Sequence, residues 1–220
     1  MISDLKMGFK VIKYGLNFKA NIFSMLLLLV LGCVMTIMTP TMPASGMYIG
    51  IGSIMVAQLI HSVAVSTMVQ TSPYKKKLQT LIPAFYSGCY LLIANTVSVC
   101  LYVVGMHIME WDIAEISNAI LLMCGLMIIM LIYMGAAMKL FWPSTIVFFV
   151  AFMVYFMFMN IILDNMVGTE LVMIMPLEMS ILVSYVVVIL ASVLMYLIFY
   201  ATYKLEYSKT TWEAALKRAK

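Results

Sequence analysis

The residues best suited to act on another molecule are three consecutive lysines, Lys75–Lys77, set between two long apolar runs. Ser72 is a favourable helix N-cap, and Pro73 suits the first helical position because its missing N–H is not needed there. These residues predict a short helix over about 72–80. Three lysines cannot lie in hydrocarbon, so this helix must lie in water or among lipid headgroups.

Two interpretations of this segment remain open. The lysines could serve only to orient the neighbouring spans in a membrane. Alternatively, the Ser-Pro start makes the segment a defined helix that a partner on the same side can dock against. The second interpretation is favoured, because the other basic turn between spans, around Lys139, is minimal and carries a single lysine.

The usual signatures of enzymatic chemistry are missing from the sequence. There is no phosphate-binding loop, no His-Glu-x-x-His motif and no nucleophile elbow. All nine Asp and Glu residues fall outside the predicted spans, whereas ion-coupled carriers usually place an acidic residue at membrane depth. The four cysteines lie in apolar runs without metal-ligand spacing and are interpreted as packing residues. The sequence therefore predicts no catalytic residue and no metal site.

Weakly polar residues inside the spans are candidates either for helix packing or for a translocation path. Gly46 and Gly50 form a Gly-x-x-x-Gly motif, which permits close helix approach, and His61 lies on the same helical face. His61 is the only ionisable residue well inside a span. It could be a neutral histidine hydrogen-bonded to a neighbouring helix, or it could contact substrate. The same two interpretations hold for three further residues: Gln58, Asn95 and Asn160.

Composition identifies the class of protein. Apolar residues make up 65% of the chain, charged residues only 10%, and the mean hydropathy is +1.09. These values exclude an ordinary soluble domain and predict an all-α integral membrane protein. Residues 20–203 hold six apolar runs near the ~20 residues needed to cross a bilayer. The predicted spans are Ile22–Met38, Gly46–Val69, Ile82–Met106, Ala119–Met138, Ser144–Leu163 and Met179–Tyr200.

Charge distribution predicts the orientation of these spans. With both termini cytoplasmic, all 13 basic residues fall on the inner side. The outer segments then contain no Lys or Arg. They contain six acidic residues: Glu110, Asp112, Glu115, Asp164, Glu170 and Glu178. This partition satisfies the positive-inside rule without an exception.

Three further segments flank or interrupt the spans. Residues 1–19 alternate apolar and lysine-bearing faces at helical spacing, which predicts an amphipathic helix lying in the interface. Residues 164–178 contain an apolar stretch too short to span, which predicts an outer re-entrant or interfacial element. Residues 204–220 form a tail in which Thr210 and Glu213 are spaced as a capping box, predicting a short cytoplasmic helix.

On these features the chain resembles the membrane-spanning subunit of a type-2 ABC exporter, the small bacterial permease class. The resemblance is architectural and covers most of the chain. It includes the interfacial helix, six spans with both ends inside, a basic Pro-bearing loop between the second and third spans, and an outer element before the sixth span. The loop residues that carry the resemblance are Ser72, Pro73, Tyr74, Lys75, Lys76, Lys77 and Leu78.

The resemblance implies that Pro73–Leu78 is a coupling helix seated in a groove of a separate ATPase subunit. That subunit would hold ATP and Mg²⁺, so this chain would carry no cofactor and would not itself be an enzyme. A second permease copy, identical or closely related, would complete the path. The minimal outer loops favour export over import. The methionine-rich interior, with 24 Met in the chain, suggests a hydrophobic or amphipathic cargo such as a peptide, a lipid or a lipophilic drug. The expected location is the bacterial cytoplasmic membrane, and no nucleic-acid partner is expected.

Two other classes remain open. A substrate-capturing membrane subunit of a vitamin importer also often has six spans and no nucleotide site. A non-transporting immunity or assembly protein would use Lys75–Lys77 only for orientation.

Overall fold

The structure is a computed structural model that describes residues 8–10, 12–15, 18–40, 44–168 and 174–210, without the side chains of residues 67, 68 and 160–168. Within these ranges the chain is helical and contains no strand. Helices suit an apolar chain because they satisfy every backbone hydrogen bond within one segment, and lipid offers no other partner.

Six of the helices are long and apolar enough to cross a membrane. This confirms the predicted all-α class and the predicted number of spans. The orientation of the termini remains a prediction. The long helices are α1 (Phe18–Met38), α2 (Ala44–Ala64), α5 (Leu81–Met109), α6 (Ile113–Ala137), α7 (Phe141–Gly168) and α8 (Leu177–Thr202).

Two short helices, α3 (Thr67–Gln70) and α4 (Lys75–Gln79), connect α2 to α5. The chain bends at Val65 and Ser66, so the second span ends at Ala64 and not at Val69 as predicted. Gln70 stabilises this bend, because its Nε2 donates a hydrogen bond to the Ala64 carbonyl at 2.6 Å.

Helix α6 lies at the centre of the bundle and packs against α2, α5, α7 and α8. Its buried face is rich in methionine, including Met123, Met127, Met130 and Met134. The flexible thioether side chains fill the irregular space between four neighbouring helices. By contrast, α7 packs mainly against α6 and leaves most of its apolar surface exposed.

Helices α2 and α6 approach closely at two glycines of α2. A Cβ atom built on Gly46 would lie 2.6 Å from the carbonyl oxygen of Met123, and one on Gly50 would lie 2.7 Å from Cγ of Met130. The Gly-x-x-x-Gly motif therefore packs α2 against α6, because a Cβ atom at either position would displace part of Met123 or Met130.

Hydroxyl side chains inside the bundle mostly bond to their own helix. Thr36 Oγ1 donates to the Gly32 carbonyl at 3.0 Å, and Ser53 Oγ donates to the Gly50 carbonyl at 2.7 Å. These bonds satisfy a buried polar group locally, so serine and threonine can occupy apolar helices without a partner on another helix.

The acidic segments meet at one end of the bundle, which we call the acidic end. Here Asp112 Oδ1 accepts the Ala114 N–H at 2.9 Å and caps the start of α6. Ser117 Oγ donates to the Met175 carbonyl at 2.6 Å, and Asn118 Oδ1 accepts the Ile174 N–H at 3.1 Å. The first turns of α6 therefore hold the chain that enters α8.

The predicted outer element of residues 164–178 is only partly described. Residues 164–168 continue α7, so the fifth helix extends beyond its predicted end at Leu163. Residues 174–175 bend into α8, and residues 169–173 lie outside the described part. The re-entrant interpretation remains a prediction.

The predicted N-terminal amphipathic helix is also described only in part. Gly8 lies against Ile82 and Tyr86, Gly15 lies against Leu59, and Ile12 packs on the cluster formed by α2, α4 and α5. Residues 1–7, 11, 16 and 17 are outside the described ranges, as are residues 211–220 with most of the predicted tail helix. The N-terminal amphipathic helix and the tail helix both remain predictions.

Candidate functional site

The candidate site lies at the other end of the bundle, the lysine end, where α4, the α6–α7 turn and the tail of residues 203–210 meet. Helix α4 covers Lys75–Gln79, so it begins later than predicted. Ser72 and Pro73 form a turn before it. Ser72 Oγ accepts the Tyr74 N–H at 3.2 Å, and the Ser72 carbonyl accepts the Lys75 N–H at 3.1 Å. Ser72 thus caps a turn and not the helix itself.

Helix α4 has one buried and one exposed face. Leu78 is buried in an apolar cluster with Val56, Ile60 and Ile82 from α2 and α5. Gln79 and Thr80 are buried beside it. Residues 73, 74, 76 and 77 are exposed. If α4 is displaced, the residues of α2 and α5 that pack against it must therefore move as well.

Lys76 ties α4 to the end of α8. Its Nζ lies 4.3 Å from the ring centroid of Tyr200 and 5.3 Å from that of Tyr203. The same Nζ donates to Tyr200 Oη at 3.3 Å. Cation–π contacts of this kind contribute about 0.5–1 kcal/mol at exposed sites. Lys76 is therefore engaged within the chain.

Lys139, in the α6–α7 turn, is 8% exposed and joins three segments. Its Nζ donates to the Leu205 carbonyl at 2.7 Å and to Gln79 Oε1 at 3.4 Å. It also lies 3.6 Å from the ring centroid of Tyr207. These contacts connect α4, the α6–α7 turn and the tail through one side chain.

The electrostatics of this cluster are unusual. Burial, and secondarily the positive charge of Lys75, lowers the pKa of Lys139 to about 8. Burial raises the pKa of the Tyr207 hydroxyl, which therefore stays neutral at physiological pH. No described carboxylate contributes to the pKa of Lys139. A buried ammonium held by a carbonyl, an amide and a ring is an uncommon arrangement, because buried charges are usually paired.

His61 belongs to the same cluster. It is 1% exposed, its Nδ1 is hydrogen-bonded to Tyr207 Oη at 3.1 Å, and its ring centroid lies 4.9 Å from that of Phe199. Among the described residues, its Nε2 has no hydrogen-bond partner, and neither does Gln79 Nε2. The structure thus places His61 under the tail at the lysine end.

The other path candidates are dispersed. Gly46 and Gly50 lie in the α2–α6 contact. Asn95 is fully buried, and its Nδ2 donates to Ser184 Oγ at 3.1 Å. Gln58 is exposed on α2, so it is not packed between helices of this chain. The side chain of Asn160 lies outside the described part. The candidates therefore do not converge on one site within a single chain.

Sequence reasoning missed Gln79, Lys139 and Tyr207 as members of a site. A lysine just after an apolar span looks like an ordinary topology determinant, and a tyrosine in a tail looks like an interface anchor. One signal was available in the spacing Tyr200, Tyr203, Tyr207, which places three aromatic rings near the lysines of the same membrane side.

Within the described residues, no group of three or more His, Cys, Asp or Glu side chains is arranged to hold a metal ion. Comparison with family models, curated proteins and solved structures finds no match for this chain. The described fold defines an all-helical, multi-pass membrane protein with six candidate spans. A more specific function must be argued from the lysine end itself.

Proposed function

We propose that this chain is the membrane-spanning permease subunit of an ATP-driven exporter of the type-2 ABC class. The observation that carries the proposal is α4. It is a short basic helix between two spans, buried on one face against α2 and α5, and exposed on the other. A partner docked on the exposed face could move α4, and the buried face would pass that movement to the bundle.

The partner would be an ATPase subunit contacting Tyr74 and Lys77. Tyr74 is 46% exposed at the start of α4, and tyrosine is a favoured anchor residue in protein interfaces. The lysines favour an acidic partner surface, because complementary charge steers association. Pro73, also exposed, fixes the direction of the turn that enters α4.

A second copy of the chain is part of the proposal. In the most apolar stretches of α1 and α7, only 11% and 6% of the residues are buried within this chain. Lipid or a partner subunit must cover these faces. A path between two copies also agrees with the dispersed positions of the path candidates, since Gln58 faces away from the interior of its own chain.

The cargo is proposed to be hydrophobic or amphipathic. Within the described part, the polar groups at depth other than the His61 imidazole are mainly hydroxyls and amides, mostly bonded within the bundle. Two methionines, Met153 and Met157, stand among the exposed apolar side chains of α7, each about two-thirds exposed. Such side chains adapt to apolar ligands of varied shape.

The test is co-purification of an ATPase with the tagged chain from its native membrane, followed by Mg²⁺-dependent ATP hydrolysis of the purified material. The variant Tyr74→Ala with Lys77→Ala should lose most of this activity. A matched variant, Lys19→Ala with Lys204→Ala, removes two exposed lysines from outside α4 and should retain it. No ATPase with the intact chain would refute the proposal. Equal retention by both variants would keep the permease but place the contact outside α4.

One observation favours a second candidate, a membrane subunit that captures a small ligand by itself. Asn95 Oδ1 and Ser98 Oγ are fully buried on neighbouring turns of α5 and have no hydrogen-bond partner among the described residues. Unpaired buried polar atoms are costly and suit a bound polar group. A capturing subunit would retain its ligand when purified alone, whereas a permease half would not. Mass spectrometry of the extracted, purified chain distinguishes the two.

A further inference from the structure

A pocket of about 380 Å³ opens at the lysine end, beside the cluster around Lys139. Its walls are residues 139–143, from the α6–α7 turn and the start of α7, and residues 208–210 of the tail. This volume is within the range of small-molecule sites, roughly 300–1,000 Å³. The tail is fixed against the turn, because the Ser208 N–H donates to the Met138 carbonyl at 3.2 Å. The pocket is thus formed by two segments that hold each other.

The polar side of the pocket is suited to an anion. Lys209 is exposed at its edge, and Lys139 is buried in its wall. The hydroxyls of Ser208 and Thr210 lie 3.5 Å apart. None of the lining residues is acidic. Ammonium and hydroxyl groups are the usual side-chain donors to phosphate oxygens, and charge-assisted bonds of this kind are the strong ones.

The opposite side of the pocket is apolar and lies at the membrane boundary. Leu140 is 41% exposed and Trp142 is 69% exposed, where two candidate spans are joined. Tryptophan is enriched at this level of a bilayer because its ring is amphipathic. Beyond Trp142, the exposed side chains of Ile146 and Phe149 continue the apolar surface along α7. A ligand here therefore meets donors at one end and hydrocarbon at the other.

We propose that this pocket binds the phosphate of an anionic phospholipid, with the acyl chains lying along the exposed face of α7. Lys209 and the hydroxyls of Ser208 and Thr210 contact the phosphate, and the charge of Lys139 adds to the attraction. Bound lipid would brace the tail against the α6–α7 turn. The site goes beyond the proposed transport function and does not depend on it.

Trp142 provides a direct reporter of occupancy. The chain has three tryptophans, so replacing Trp111 and Trp212 with phenylalanine leaves Trp142 alone. This single-tryptophan chain is reconstituted in phosphatidylcholine vesicles that contain increasing amounts of dibrominated phosphatidylglycerol. Bromine quenches tryptophan only at close range. Quenching should reach half its maximum at a lower mole fraction of brominated phosphatidylglycerol than of brominated phosphatidylcholine.

Two charge variants test the assigned contacts. Lys209→Gln should weaken the preference for phosphatidylglycerol about fivefold, which corresponds to about 1 kcal/mol for one lysine near an anionic surface. Lys204→Gln is the matched control, because Lys204 is an exposed lysine of the same tail outside the pocket. The preference of Lys204→Gln for phosphatidylglycerol should be unchanged. The double variant Ser208→Ala with Thr210→Val should reduce the preference without altering charge.

The results separate the alternatives. Equal quenching by the two brominated lipids overturns the proposal, and so does an equal loss in Lys204→Gln, which would show general surface attraction. Inorganic phosphate is added to chain in pure phosphatidylcholine as a third arm. One contradicting outcome is that phosphate changes Trp142 emission in the unchanged chain but not in Lys209→Gln, while brominated phosphatidylglycerol quenches no better than brominated phosphatidylcholine. In that case the pocket binds a soluble phosphate compound, and the lipid assignment is wrong.

Discussion

The contact between α2 and α6 makes a quantitative prediction about Gly46→Ala. The added Cβ would lie 2.6 Å from the Met123 carbonyl oxygen and 3.1 Å from Met123 Cγ. Main-chain atoms of a central helix cannot rotate away, so α2 and α6 must move apart. Overpacking of this kind costs about 1–3 kcal/mol. The free energy of unfolding should fall by an amount in that range.

Gly50→Ala is the matched control, one turn further along α2. Its Cβ would lie 2.7 Å from Cγ and 3.0 Å from Cβ of Met130, and none of its three nearest contacts is a main-chain atom. Rotation of the flexible Met130 side chain removes the shorter contact and a small shift relieves the other, so the cost should be lower than that of Gly46→Ala. Both substitutions gain the same helix propensity of alanine over glycine. The difference between the two variants therefore isolates the packing term.

The assay is equilibrium unfolding in mixed micelles, followed by far-ultraviolet circular dichroism as the fraction of denaturing detergent increases. Gly46→Ala should unfold at a clearly lower fraction than Gly50→Ala. Equal costs for the two variants, or a larger cost at Gly50, would refute the claim that main chain limits the approach of α2 to α6.

Three further predictions concern the two ends of the bundle. Burial lowers the pKa of Lys139 from 10.5 to about 8. Between pH 8 and pH 10.5 the unfolded chain therefore binds more protons than the folded chain. The free energy of unfolding should consequently rise from about pH 8 to about pH 9.5. Lys139→Met should remove this rise. At the acidic end, Asn118→Leu should speed hydrogen exchange at the Ile174 amide, which loses its acceptor. Tyr207→Phe removes the hydrogen bond to His61 and should cost about 1 kcal/mol of unfolding free energy.

Each of these predictions has a contradicting result. If the free energy of unfolding of Lys139→Met still rises with pH, another group is responsible for the titration. Lys204→Met, at an exposed lysine, is the control. Unchanged exchange at Ile174 in Asn118→Leu would show that the bond does not protect this amide. An unfolding free energy in Tyr207→Phe equal to that of the unchanged chain would mean that His61 exchanges its tyrosine partner for water at no cost.

Sequence reasoning was most accurate where the signal is local. Hydropathy located six spans because each must be apolar over its own ~20 residues, whatever lies beside it. The Gly-x-x-x-Gly motif at Gly46 and Gly50 likewise predicted a close helix contact. It could not name α6 as the neighbour, because a small-residue face fits any helix that approaches it.

The predictions that needed correction concern the ends of helices. The segment starting at Ser72 fits both a helix cap and a capped turn, and the two differ only in where the next hydrogen bonds form. The predicted fifth span ends at Leu163, just before Asp164, but the helix continues to Gly168. A polar residue can extend a helix beyond the hydrocarbon as readily as it can end one.

The sequence alone determined that this is a membrane protein, how many times it can cross the bilayer, and that its basic and acidic segments alternate along the chain. Only the tertiary structure decided which polar groups meet. Lys139 reaches Gln79 across 60 residues, and His61 reaches Tyr207 across 146. Partners this far apart leave no mark in local periodicity, because helix packing and not sequence spacing brings them together at the lysine end.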